Sequence, residues 1–320
     1  MTDDIDAEIE QRVNAVDRVY ITTPKVKEAI DLIKRTRKAR RQDGTAHCSL
    51  ITGVSGTGKS RLFSRYMENQ PVPESGTMPL VYVMTPAPFT QVGFARAFLR
   101  AMGKPVISGQ DQDTMLDRIQ HYLGQLRTEL VMLEEISHVV DRKAKDAKVP
   151  YWVTDTIKLN FLEKAKVPIV MNGVPVAKDL FRINSQLETR RLDIVELMPY
   201  DMADNVSRES FMVLLELYER ATGFPKKVLA GNEALARRVY WATHGVYGHL
   251  AKLMKDATEL AVRRGTNGLT VEVLADACAR LADPEKGWEN PFLVAAIPRQ
   301  ETADESRVTL LHKRGQKAPV

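Results

Sequence analysis

The residues with the most specific chemistry lie in one stretch, Gly53-Val54-Ser55-Gly56-Thr57-Gly58-Lys59-Ser60. Glycines at these places let the backbone curl until successive N–H groups converge on one point, which makes a cradle for an anion. A short apolar run, Cys48–Thr52, leads into the loop and reads as a buried strand. A helix expected over Ser60–Glu68 follows, and its N-terminal end adds positive potential. A lysine at this spacing reaches the β- and γ-phosphates of a nucleoside triphosphate, and the hydroxyl after it can bind Mg²⁺. ATP and Mg²⁺ are therefore the expected cofactors. The bland alternative is a ligand-free glycine turn, which the strand before and the helix after disfavour.

Such a loop needs an acidic partner at the end of another strand. Leu130-Val-Met-Leu133-Glu134-Glu135 supplies two carboxylates in a row. Glu134 is expected to hold Mg²⁺ through water, and Glu135 to orient or deprotonate the attacking water. The usual pair is Asp-Glu, so Glu134 carries a longer arm than usual. A further strand ends at Met171-Asn172-Gly173. Asn172 stands where a polar sensor would touch the γ-phosphate or the lytic water, although Asn-Gly is also a plain turn pair. Thr189-Arg190-Arg191 precedes the last strand. Arg190 or Arg191 could enter a neighbour's nucleotide as a finger, or rest in a salt bridge.

Strands that alternate with helices must position these groups. Strands are expected at Cys48–Thr52, Leu80–Met84, Glu129–Glu134, Val167–Asn172 and Asp193–Leu197, with helices at about Gln91–Met102, Asp111–Thr128 and Thr154–Lys164. That pattern predicts an α/β fold with a parallel five-stranded sheet and helical crossovers. From Asp201 the pattern becomes wholly helical, over about 205–222, 232–243, 247–264 and 271–281. Four regions follow: a polar lead-in (1–19), a nucleotide-binding α/β domain (20–200), a helical lid domain (201–283) and a loosely ordered tail (284–320) that could dock a partner.

The bulk composition excludes several classes. Hydrophobic residues make up 44% and charged residues 27% of the 320, the balance of a globular chain with a real core. No apolar run reaches membrane-spanning length, and the acidic start does not resemble a secretory signal. Cys48 and Cys278 stand alone and the six histidines are scattered, so neither a disulfide scaffold nor a zinc site is indicated. A cytoplasmic, membrane-free protein is expected. The net charge of +5 tilts the reading toward polyanion partners.

This order of parts resembles the AAA+ P-loop ATPases. It looks most like the TniB/TnsC family of transposition regulators, which is similar to the phage MuB type. The resemblance rests on Ile21-Thr-Thr-Pro24, Ile51–Ser60, Leu80–Val83, Leu133–His138, Val167–Gly173 with Pro175 and Ala177, Gln186–Arg191, Thr243–Gly248 and Asn290-Pro-Phe292. It implies a DNA-binding ATPase that assembles with ATP on duplex DNA as a ring or filament. It further implies recruitment of a transposase, communication with a target-selection protein, and disassembly on slow hydrolysis. Three positions depart from the family. Glu134 replaces Asp, Val174 replaces a common Thr, and His249 follows Gly248 where an arginine sensor is expected. His249 could still contact phosphate, with a charge that depends on pH.

Two basic runs could meet DNA phosphates. One is Lys34, Arg35, Arg37, Lys38, Arg40 and Arg41; the other is Arg142, Lys143, Lys145 and Lys148. Such contacts give salt-dependent affinity with little sequence preference. A solvated helix face explains the first run equally well. The second follows the Mg²⁺-binding strand, where a loop can couple nucleotide state to a DNA channel. The family resemblance adds Lys104. Two alternatives stay open: a replication-initiator or helicase-loader ATPase, and a small-molecule phosphotransferase.

Overall fold

A computed structural model describes residues 2–39, 44–140, 148–281 and 289–295. The chain divides into two compact units, residues 24–197 and residues 1–23 with 198–320. The first unit holds five parallel strands: β1 (Cys48–Thr52), β2 (Leu80–Met84), β3 (Leu130–Glu134), β4 (Ile169–Gly173) and β5 (Arg191–Glu196). Their order across the sheet is β2-β3-β4-β1-β5. Each central strand is buried on both faces, which is why it reads as an unbroken apolar run.

Alternate side chains feed two cores. On one face Leu50, Val131, Leu133, Ile169 and Met171 pack with Phe94, Phe98 and Phe161. The last two rings lie 4.7 Å apart. On the other face Ile51, Leu130, Met132 and Val170 meet Leu32, Ile33, Leu62 and Phe63. The helices that carry these residues, with the N-terminal helix that precedes them in the chain, are α1 (Thr2–Asp17), α2 (Pro24–Lys38), α3 (Lys59–Glu68), α4 (Gln91–Ala101) and α5 (Gln112–Gln125). Then come α6 (Lys148–Thr156), which continues as a π-helix over Ile157–Lys164, and the short α7 (Asp179–Ile183) and α8 (Ser185–Glu188). The crossover expected at Thr154–Lys164 thus starts six residues earlier and changes its winding midway.

The other unit is built from α9 (Asn205–Ala221), α10 (Glu233–Thr243), α11 (Tyr247–Arg263), α12 (Val271–Ala279) and α1. Two expectations are corrected here. Residues 2–17 are no mere polar lead-in but a helix that joins this unit. Val16 is buried in its core, and the Arg12 guanidinium lies 4.6 Å from the Phe224 ring and donates to the Thr222 carbonyl. Lys255 pairs with Asp17 at 2.9 Å. The tail region also begins with folded structure. Asn290 Nδ2 donates to the Ala275 carbonyl at 2.8 Å, Arg238 donates to the carbonyls of Pro291 and Val294, and Phe292 is only 5% exposed. Residues 296–320 lie outside the described residues. No described helix is long and apolar enough to cross a membrane.

A buried carboxylate organises the turn after α9. Glu219 accepts from the backbone N–H groups of Val228, Leu229 (2.8 Å) and Ala230 (2.9 Å). Removing it orphans three backbone donors, of which that of Leu229 is buried. Glu219→Ala is expected to cost about 2–4 kcal/mol in urea unfolding, and Glu219→Gln, which keeps one acceptor oxygen, roughly half of that. A loss below about 1 kcal/mol for the alanine variant would contradict this account.

Candidate functional site

The loop Gly53–Gly58 leaves the carboxyl end of β1 and enters α3. Parallel sheets bind ligands at that edge, where the strand order reverses beside β1. Only glycine fits at 53, because a Cβ there would lie 2.2 Å from the Leu197 carbonyl oxygen. Gly56 and Gly58 turn the chain through positive φ. Thr57 Oγ1 donates to the Val54 carbonyl at 3.0 Å and braces the curl. Ser55 stands exposed at the tip.

The start of α3 is unlike the start of most other helices. Thr90, Asp111, Asp204, Asn232 and Thr270 each cap a helix with a side-chain oxygen. Gly58 gives α3 no side-chain cap. Its first N–H groups are thus left for an external acceptor, at the positive end of the dipole.

Lys59 is 4% exposed, and its Nζ donates to the carbonyls of Gly53 (2.8 Å) and Val54 (3.0 Å). An ammonium has three protons, so one is left for a ligand. Burial holds this amine below the ordinary lysine value, while the Glu135 and Glu134 carboxylates pull the other way.

Glu134 ends β3 with no exposed surface. Ser60 Oγ donates to one carboxylate oxygen, and Asn172 Nδ2 donates to the other at 2.7 Å. Tyr82 on β2 lies near the same carboxylate; burial, and then that negative neighbour, push its phenol pKa upward. Glu135 follows with φ 55°, a conformation rare for a non-glycine residue. Its N–H donates to Asn172 Oδ1 at 2.9 Å. Asn172 therefore ties both acidic residues together rather than forming a plain turn. Among the described residues no cluster of His, Cys, Asp or Glu could hold a metal unaided. Ser60 with Glu134 fits Mg²⁺, which takes few protein ligands and completes its shell with water and phosphate.

Arg190 and Arg191 lie elsewhere in the first unit. Arg191 pairs with Cys48 in sheet register, at the opposite end of β1 from the loop. Arg190 holds Glu163 at 2.5 Å, and Arg191 grips Glu188 with both arms of its fork. His249 is half-buried in the first turn of α11, in the helical unit. Lys104 follows α4, with its Nζ 4.7 Å from the Tyr122 ring. Arg142, Lys143 and Lys145 fall outside the described residues; Lys148 begins α6, and its side chain is likewise outside them. Sequence reasoning missed Tyr82 and Arg118. The only available signal for Tyr82 was a polar ring within an apolar strand.

A buried ammonium that faces carbonyls is a standing cost to the ligand-free fold. Lys59→Met is expected to raise ligand-free stability by about 1 kcal/mol, roughly 2–4 °C in Tm. A lysine pKa held below 10.5 means that the unfolded chain binds more protons between the two values. The penalty is full at lower pH and fades as pH rises toward 10.5, so the gap between variant and wild type should close there. Thermal melts from pH 7 to 10 would check both points.

Comparison with known proteins bears on the family and the fold. No curated protein matches the chain by sequence. Solved structures do. The Aeropyrum pernix ORC2 protein in its ADPNP-ADP complexes is 16% identical with TM-score 0.58, over 83% of this chain and 71% of that one. Cdc6p from Pyrobaculum aerophilum is 15% identical with TM-score 0.56, over 84% and 70%. The Aeropyrum pernix ORC1 protein in complex with DNA is 17% identical with TM-score 0.55, over 83% and 66%. At these identities the likeness establishes the fold alone, a P-loop α/β fold. The family model of the bacterial TniB protein matches residues 12–202, more than half of the sequence, and the chain belongs to that family.

Proposed function

We propose that this protein is an ATP-dependent DNA-binding regulator of transposition. It assembles on duplex target DNA in its ATP state, recruits a transposase in concert with a target-selection protein, and disassembles on slow hydrolysis in the cytoplasm. The observation that carries the nucleotide part is the uncapped α3 beside a buried Lys59, facing the linked set Ser60, Glu134, Asn172 and Glu135. ATP with Mg²⁺ supplies an electrophilic γ-phosphate whose charge the metal offsets. The loop N–H groups and Lys59 bind the phosphates, and Ser60 and Glu134 hold the metal. Glu135 accepts a proton from the attacking water at its carboxylate. Asn172 fixes where both carboxylates stand.

The DNA part rests on family membership and on an uncompensated pair of cations. Lys104 and Arg118 both lean on the Tyr122 ring, and neither makes an ion pair with a carboxylate among the described residues. Phosphates on a duplex would supply the missing charge. The likeness to ORC and Cdc6 proteins suits a replication initiator at the level of fold; membership of the TniB family favours transposition.

Fluorescence anisotropy of a labelled random-sequence duplex tests the reading. Wild type should bind cooperatively with ATP or a slowly hydrolysed analogue, and Lys59→Ala should not. Glu135→Gln should keep ATP-dependent binding while hydrolysis falls by about 10²-fold or more. Absence of binding in every nucleotide state at low salt would sink the DNA role and leave the ATPase fold standing. Replacing Lys104 and Arg118 together by alanine should weaken binding evenly across sequences. It should also flatten the log–log salt slope by about 2, one for each phosphate that the variant no longer neutralises.

A further inference from the structure

Glu135 is held at both its backbone and its carboxylate. Its N–H is taken by Asn172, and its carbonyl accepts from the His138 N–H at 3.1 Å. Its carboxylate Oε2 accepts from Ser137 Oγ at 3.3 Å. Ser137 is buried, and the same Oγ accepts from the Val174 N–H at 3.4 Å. A hydroxyl has one proton to give, so this arrangement sets its direction: Val174 N–H to Ser137, Ser137 to Glu135. The approach of Ser137 to β4 is a built one. A Cβ on Gly173 would lie 3.1 Å from Ser137 N and 3.2 Å from its Oγ, so the missing side chain at 173 makes room for Ser137.

We propose that Ser137 is a positioning residue for Glu135. It aims the carboxylate that receives the water proton and ties that aim to the chain leaving Asn172. This rests on the hydrolytic role given to Glu135 above. A base works only within hydrogen-bonding reach of the proton it takes, and a third group commonly orients it. Backbone restraint at Glu135 fixes where the side chain starts, not where its oxygens end. Among the described residues, Ser137 is the side chain that hydrogen-bonds that carboxylate. Both bonds of Ser137 are long for hydroxyl hydrogen bonds, so the effect of removing it is moderate.

The test is steady-state ATPase kinetics on full-length Ser137→Ala, Ser137→Thr, Glu135→Gln and the Ser137→Ala/Glu135→Gln pair, with binding of a fluorescent ATP analogue and thermal melts alongside. Ser137→Ala should lower kcat about 3–10-fold with KM and analogue affinity unchanged and the melting temperature within a degree or so. Threonine, which keeps the hydroxyl, should restore most of the rate. The alanine change should remove nothing further from Glu135→Gln. An unchanged kcat, a loss of binding or stability that tracks the rate loss, or failure of threonine to rescue each overturns the role of Ser137 and leaves the ATPase reading intact. A wild type that binds the analogue yet never hydrolyses ATP overturns both readings together.

Discussion

A fully buried carboxylate, that of Glu134, is the group on which the site's order depends. Taking an ionised carboxylate out of water costs several kcal/mol unless its oxygens are satisfied. Here its partners come from two other parts of the first unit, Ser60 from the start of α3 and Asn172 from β4, with Tyr82 of β2 close by. None is near Glu134 in sequence. They meet because β3 lies between β2 and β4, with Met84 opposite Glu134 and Leu133 opposite Met171, while β1 delivers the loop from the far side of β4. A slip of one residue in any of these strands would turn the partners to the other face and strand the charge. The strand register and the site are thus one constraint seen twice.

The same arrangement explains how a glutamate serves where the family pattern has aspartate. The extra methylene moves the carboxylate outward, where the Ser60 hydroxyl and the Asn172 amide donate to it. Asn172 is the more economical of these, since one amide gives its N–H to Glu134 and its oxygen to the Glu135 N–H. That second bond steadies Glu135 in its positive-φ conformation, a state that persists only where the surroundings over-determine it. Lys59 shows the opposite economy. Its ammonium sits among carbonyls with the two carboxylates as distant compensation, a state that a bound polyphosphate improves. Ligand-free stability and function pull in different directions at this one residue.

Much of this is legible in the sequence, and for physical reasons. The loop motif has fixed spacing because backbone geometry fixes it, and buried parallel strands announce themselves as apolar runs between breakers. What stays hidden depends on partners distant in sequence. Tyr82 and Ser137 are ordinary residues until the sheet places them against carboxylates. Residues 2–17 carry few apolar side chains, so their periodicity is faint; the helix is secured by Val16, Arg12 and Asp17, through partners more than 200 positions away. Asn290–Phe292 reads as the start of a loose tail, because one buried ring, one bond to the Ala275 carbonyl and two carbonyls that accept from Arg238 leave no periodic trace.

Arg190 and Arg191, at the start of β5, show how far geometry alone can take a functional assignment. Arg191 stands opposite Cys48, at the beginning of β1, and the phosphate loop begins after Thr52. Four residues of extended chain separate the two ends by roughly 13 Å. Neither arginine therefore serves the loop of its own sheet, and a finger role for either requires another copy of the chain. Both also have occupations, Arg190 with Glu163 and Arg191 with Glu188. Those bonds are partly exposed, where an ion pair is worth little. As the chain stands, Arg190 is largely buried beside Glu163, and Arg191 is half-buried between Glu188 and the Phe181 ring.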